Sequence, residues 1–229
     1  MTRARELYLW KETMSRIYNC ADAETRATAI AAAVGAVKSC RLVVMPTDTL
    51  YGLGCDAFDN EAVAKLLATK HRGPDMPVPV LVGSWDTARG LVANYTEQMR
   101  TLIEAFWPGG LSLVVPQAPS LQWNLGDTRG TVMLRMPLHP VAIELLRETG
   151  PMAVSSANIS GQAPSTTAVA AKQQLGAAVN VYLDGGETPV GVASTIIDLS
   201  GSHPKILREG AISAERVAEV LGVDPESIR

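Results

Sequence analysis

Short apolar runs alternate along this chain with segments of helical period, and that alternation restricts the fold more than any other feature. A short run bounded by Pro, Gly or small polar residues reads as a buried strand. A longer one with apolar residues three and four apart reads as a helix packed on one face. Strand candidates are 42–45, 78–82, 111–115, 131–136, 152–154, 181–183, 195–199 and 205–207. Residues 23–37 form an alanine-rich helix, and Asp59-Asn60 begins one that aligns Val63, Leu66 and Leu67. Ser84 and Thr96 begin two more. The second buries Met99, Leu102, Ile103 and Phe106 and stops at Trp107-Pro108-Gly109-Gly110. Pro140 opens and Gly150 closes another, 168–175 is a further helix, and Ser213 caps the last, which runs through Leu221 to Gly222. Strands alternating with helices predict an α/β fold on one large sheet flanked by helices. Segments 195–199 and 205–207 lie too close for a helical crossover, so they pair antiparallel and the sheet is mixed.

A chain of 229 residues points to one domain. Residues 1–13 read as a weakly ordered extension ahead of a domain over 14–229, with Met14 a second candidate start. The basic opening is interrupted by Glu6, Lys11 and Glu12, so no signal-peptide apolar core forms, and no apolar run is long enough to span a membrane. The three cysteines form no CxxC pair and read as reduced thiols in a cytoplasmic protein. A net charge of −3 excludes a global field for nucleic acid and leaves any nucleic-acid contact local and weak, or absent.

Generic catalytic signatures are missing: there is no GxGxxG, P-loop, HExxH or GxSxG, and His71, His139 and His203 have no ligand spacing. His139, before Pro140, reads as a helix cap, and no residue is assigned to a metal. What remains is cations, hydroxyls and glycine turns, which suits a reaction driven by positioning and charge stabilisation. Lys70 and Arg72 alternate around His71 at a helix end. Either they are a solvated pair favoured by the helix dipole, or, on an extended segment, they converge on an anion. Arg135 sits in an apolar strand, where it salt-bridges a carboxylate of the chain or clamps one of a ligand. Arg208 either pairs with Glu209 or faces a site.

Seven segments taken in order carry a family resemblance. They are 46–54 (Pro-Thr-Asp-Thr-Leu-Tyr-Gly-Leu-Gly), Lys70-His71-Arg72, Phe106-Trp107-Pro108-Gly109, Leu134-Arg135-Met136-Pro137, 156–161 (Ser-Ala-Asn-Ile-Ser-Gly), Ser194-Thr195-Ile196-Ile197 and Leu207-Arg208. Together, over roughly 17–221, the chain resembles the YrdC-type threonylcarbamoyl-AMP synthases. The resemblance implies an open twisted sheet with a concave cationic cavity. It also implies an enzyme that converts L-threonine, bicarbonate and ATP to L-threonylcarbamoyl-AMP and pyrophosphate, with Mg²⁺ carried on the ATP phosphates. A downstream threonylcarbamoyl-transferase complex would then modify the adenosine beside the tRNA anticodon, with only weak or indirect tRNA contact by this chain. Carried over by motif, Lys70, Arg72, Ser156 and Asn158 form the catalytic set. Thr47, Arg135, Ser194 and a shared Ser156 hold threonine, while Lys70, Arg72, Thr131, Asn158, Ser165 and Arg208 hold ATP. Gly52 and Gly54 read as tight turns beside the ligand.

The chain departs from the pattern at Gly73, where the family more often has Pro, at Val82, where some members place a threonine-contacting histidine, and at Ala193, which replaces a glutamate. The sequence ends soon after Leu221, where longer members continue into a second domain, so residues 159–167 or the N-terminus are the candidates to cover the intermediate. Two other readings stand beside the synthase: a noncatalytic double-stranded RNA-binding or ribosome-maturation module, and a paralogue acting on a different carboxylate.

Overall fold

The computed structural model describes residues 15–229, so the boundary expected at 13/14 lies outside the described residues. In chain order the elements are β1 (Arg16–Asn19), α1 (Ala23–Val37), β2 (Val43–Met45), β3 (Gly52–Asp56), α2 (Asn60–Thr69), β4 (Val80–Leu81), α3 (Trp85–Leu91) and α4 (Glu97–Phe106). These are followed by β5 (Leu111–Pro116), β6 (Thr131–Arg135), α5 (Pro140–Thr149), β7 (Met152–Ser156), α6 (Ala168–Leu175), β8 (Val181–Asp184), β9 (Thr195–Asp198), β10 (Lys205–Arg208) and α7 (Ala214–Leu221). Among the described residues the strands form one sheet in the order β1-β8-β2-β3-β7-β4-β6-β5-β9-β10. β9 and β10 pair antiparallel, as their spacing requires, and β1·β8, β2·β8, β4·β6 and β5·β9 pair parallel, so the sheet is mixed.

The strand period of two sorts the core. Val43 and Met45 of β2, Met152 and Val154 of β7, and Val181 and Leu183 of β8 pack with α1 and α5 on one face. The residues between them, Val44, Ala153 and Tyr182, join α2, α4, α6 and α7 on the other. On the first face the helices cover only part of the sheet. Ser112 of β5, Met133 and Arg135 of β6, and Ile196 of β9 point to that side and line an open concavity. The fold thus makes a cavity where a helical layer stops short.

The helix starts follow the expected capping chemistry. Asp59 accepts from the Glu61 and Ala62 N–H groups, and Ser84, Thr96 and Ser213 each accept one N–H three residues on. Met99, Leu102 and Ile103 are buried, while Phe106 is only partly so. His139 occupies the N-cap position of α5 but makes no side-chain cap bond, which corrects the capping role read for it. Cys20 and Cys55 are buried free thiols and Cys40 is half-buried.

Two strands escaped the sequence reading, β1 and β3. Gly52 and Gly54 lie inside β3, paired with β7, and are not the turn expected there. A Cβ at Gly52 would stand 2.6 Å from Cγ1 of Val154, so glycine is needed for close strand approach. The strand expected over 78–82 shrinks to Val80–Leu81, because Pro79 has no N–H to donate to a ladder.

Candidate functional site

A cavity of about 500 Å³ opens on the uncovered sheet face. Six of the residues expected at a site reach its wall: Thr47, Arg72, Arg135, Ser156, Ser194 and Arg208.

On the β7 side, α2 ends at Lys70, and His71 adopts a left-handed φ of 54°. The Arg72 N–H then returns to the Leu67 carbonyl at 3.0 Å. The segment is therefore a helix terminus, and the extended alternation that would aim Lys70 and Arg72 the same way is absent. Arg72 goes to the cavity wall, where Nε donates to Ser160 Oγ at 3.1 Å and Nη1 to Ser155 Oγ at 3.1 Å. Hydroxyls orient it, and no ion pair involves it among the described residues. Lys70 is fully buried, so the solvated reading fails. Its Nζ donates to the Ser156 carbonyl, to the Asn158 carbonyl at 2.7 Å and to Asn158 Oδ1 at 3.3 Å. Burial, with the Arg72 charge second, pushes the Lys70 amine down to about 7.

On the β5–β9 side, Arg135 resolves the alternative posed by its sequence in favour of a carboxylate of the chain. Nη2 pairs with Asp48 Oδ1 at 2.6 Å, Nη1 donates to Thr49 Oγ1 at 2.8 Å and Nε donates to the Gly109 carbonyl at 2.8 Å. Burial opposes its charge and Asp48 favours it. Of the five N–H groups on a guanidinium, one on each terminal nitrogen remains beyond these three bonds. Ser194 shares a hydrogen bond with Ser112 (2.9 Å between oxygens). Arg208 donates to the Ser194 carbonyl through Nε at 3.0 Å and Nη2 at 2.8 Å; no ion pair with Glu209 forms among the described residues. Thr47 Oγ1 donates to the Leu50 carbonyl at 2.6 Å and accepts from the Thr49 N–H at 3.2 Å, closing the loop between β2 and β3.

The structure does not bring the other expected residues to the wall. Asn158 is buried, its Nδ2 donating to the Ile159 and Gln162 carbonyls, and Ser165 Oγ donates to the Ala157 carbonyl at 2.7 Å. Thr131 shares the open face of β6 with Met133 but bonds the Thr128 carbonyl at 2.7 Å. Val82 is buried in the opposite core and Ala193 lies on the wall. Residues missed by the sequence reading are Asp48, Thr49, Ser112 and Asp75, the last being the carboxylate on the wall. Ser112 was legible: like Arg135, it is a polar residue inside an apolar strand. Among the described residues no cluster of three or more His, Cys, Asp or Glu could hold a metal, and no helix is long and apolar enough to cross a membrane.

Comparison with known proteins places this geometry. The Sua5/YciO/YrdC family, described as "Telomere recombination", matches residues 36–210. A Mycobacterium tuberculosis protein provisionally named a threonylcarbamoyl-AMP synthase is 63% identical over 215 residues, which is 94% of this chain and 99% of that one. The threonylcarbamoyl-AMP synthase of Pyrococcus abyssi is 36% identical over 83% of this chain, which spans 56% of the archaeal protein. The crystal structure of P. abyssi Sua5 complexed with L-threonine superposes with a TM-score of 0.87 at 34% identity, covering 94% of this chain and 62% of that one. Fold and sequence agree, and the chain belongs to the Sua5/YciO/YrdC family.

Proposed function

We infer that this protein is an L-threonylcarbamoyl-AMP synthase, a nucleotidyltransferase acting on L-threonine, bicarbonate and ATP. The observation that carries this reading is one cavity with two unlike arginines, one tied to a carboxylate and one held by hydroxyls alone. The likeness to the P. abyssi proteins supports it. In this reading the two unassigned N–H groups of Arg135 receive the threonine carboxylate as a planar fork, with Thr47, Ser112 and Ser194 around it. Arg72 receives the phosphates, which arrive with their divalent cation, and Arg208, on the Ser194 side of the cavity, is the further arginine available to the nucleotide. The threonine amine takes up bicarbonate and loses water to give a carbamate. A carbamate oxygen then bonds to the α-phosphorus as the bond to the pyrophosphate oxygen breaks. Charge on the phosphate oxygens grows during this step, and Arg72 is placed to stabilise it. The product would pass to a threonylcarbamoyl-transferase complex that modifies tRNA in the cytoplasm. Pro164, on the wall, makes the segment 159–167 the candidate cover.

Pyrophosphate release by purified protein with ATP, Mg²⁺ and bicarbonate tests the reading. It should require L-threonine and be far weaker with L-serine. Equal turnover with serine would move the assignment to another carboxylate substrate. ATP binding without turnover on any amino acid would remove the synthase.

A further inference from the structure

Lys70 is the largest departure from what the motif implies. Its side chain is fully buried and does not reach the cavity wall, yet Arg72, two residues on, does. The ammonium has three N–H groups, and four acceptors lie around it: the carbonyls of Ser156 and Asn158, Asn158 Oδ1 and, at 3.4 Å, the Ser156 hydroxyl. No donor is left over for a phosphate. These acceptors belong to the end of β7 and the turn behind it, the same stretch that presents Ser155 and Ser156 to the cavity and holds Arg72 through Ser155. We propose that Lys70 is a positioning residue: it braces the end of β7 from behind the cavity and couples the shape of that wall to the presence of an anion on Arg72. The inference rests on the synthase reading only for the identity of that anion.

The coupling follows from charge. Three carbonyl-type oxygens favour the ammonium, whereas burial and the nearby Arg72 cation oppose it. Arg72 is the charged group that faces Lys70, and no carboxylate pairs with it among the described residues. An anion bound by Arg72 offsets that cation and favours the protonated brace. A neutral amine has only two N–H groups and turns a lone pair toward an oxygen, so losing the proton loosens the turn.

Binding and stability should then respond to pH in opposite senses. Burial pushes the amine down to about 7 in the folded protein from the ordinary lysine value of 10.5, so between these limits the unfolded chain binds a proton that the folded chain lacks. Stability from this group is therefore lowest below about 7 and rises with pH through that window. The brace needs the proton, so ligand affinity falls over the same window.

The test is a ¹³Cε-lysine NMR titration of the whole chain, with inorganic pyrophosphate as the anion probe and L-threonine calorimetry beside it. One lysine signal, absent from Lys70→Arg, should titrate near neutral pH and shift to higher pH when pyrophosphate is added. Lys70→Met should weaken L-threonine, measured without nucleotide, by about tenfold through Ser156, the wall residue shared with threonine in the sequence reading, as the loss of a supporting shell does. It should also abolish the fall in affinity above pH 7. All lysines titrating near the ordinary value would overturn the proposal. So would a Lys70 signal that pyrophosphate leaves unmoved while Arg72→Ala abolishes pyrophosphate binding. Threonine binding intact in Lys70→Met with only pyrophosphate weakened would make Lys70 a direct phosphate contact instead. The NMR readout needs no stable Met variant. It also separates this idea from the synthase reading, which fails if wild type releases no pyrophosphate in response to threonine.

Discussion

The two sides of the cavity handle an arginine in opposite ways, one buried and one half-buried. Arg135 is neutralised by Asp48 at 2.6 Å before any ligand arrives. Arg72 leans on the hydroxyls of Ser155 and Ser160 and keeps its charge open toward the cavity. A pre-neutralised guanidinium selects by geometry, offering a fixed fork to one planar carboxylate. An open guanidinium selects by charge, and its pull grows with the anion's valence. The difference teaches how one small cavity can hold an amino acid and a triphosphate without either occupying the other's place.

The largest test of this contrast removes the neutraliser. Asp48→Ala leaves Arg135 charged among buried atoms and takes the acceptor from the Leu138 N–H, which lies 2.8 Å from Asp48 Oδ1. Breaking one partner of a buried pair costs about 3–5 kcal/mol. For a chain of this size that lowers the melting temperature by roughly 6–20 °C in a thermal unfolding scan. A loss below ~1 kcal/mol would mean that the pair does not hold this side together.

Arg72→Ala has no such stability penalty to impose, since only hydroxyls lose a partner. Its effect should fall on chemistry: pyrophosphate release drops by about 10²–10³-fold, as for loss of one group aimed at developing charge. L-threonine affinity measured without nucleotide should change little. The remaining phosphate affinity should also lose much of its salt dependence, since the open charge is gone. Near-wild-type turnover would remove Arg72 from the reaction and end the comparison.

What could be read from the sequence, and what could not, divides along a physical line. Arg135 was legible because a charge inside an apolar strand must have a partner, although the sequence could not say whose. Helices over 23–37 and 140–149 were legible because their caps and periods are local. Lys70 was not: a cation at a helix C-terminus looks solvated, and only the tertiary path of β7 encloses it. β3 was hidden for a related reason. Gly52-Leu53-Gly54 has little strand propensity, and the demand for glycine comes from Val154, about a hundred residues away. That gives a third prediction, intermediate in size. Gly52→Ala should cost about 1–3 kcal/mol through overpacking. Gly52→Ala/Val154→Ala should recover part of the loss if the 2.6 Å approach is its cause. A double variant that is simply the sum of the two would place the strain elsewhere.

The smallest effect sharpens the comparison most, because it should touch one side only. Ser112 lies on the carboxylate side, far from Arg72 in sheet order, and its hydroxyl shares a 2.9 Å hydrogen bond with Ser194. Ser112→Ala removes that bond and leaves Ser194 Oγ accepting from Arg208 at 3.2 Å, so no orphaned group results. The cost is about 1 kcal/mol, the net worth of an ordinary hydrogen bond. If Ser194 orients threonine, the loss appears as roughly fivefold weaker L-threonine binding, with ATP affinity unchanged. Equal weakening of both ligands would show that the two sides act as one charged surface, and the division between geometric and electrostatic selection would have to be given up.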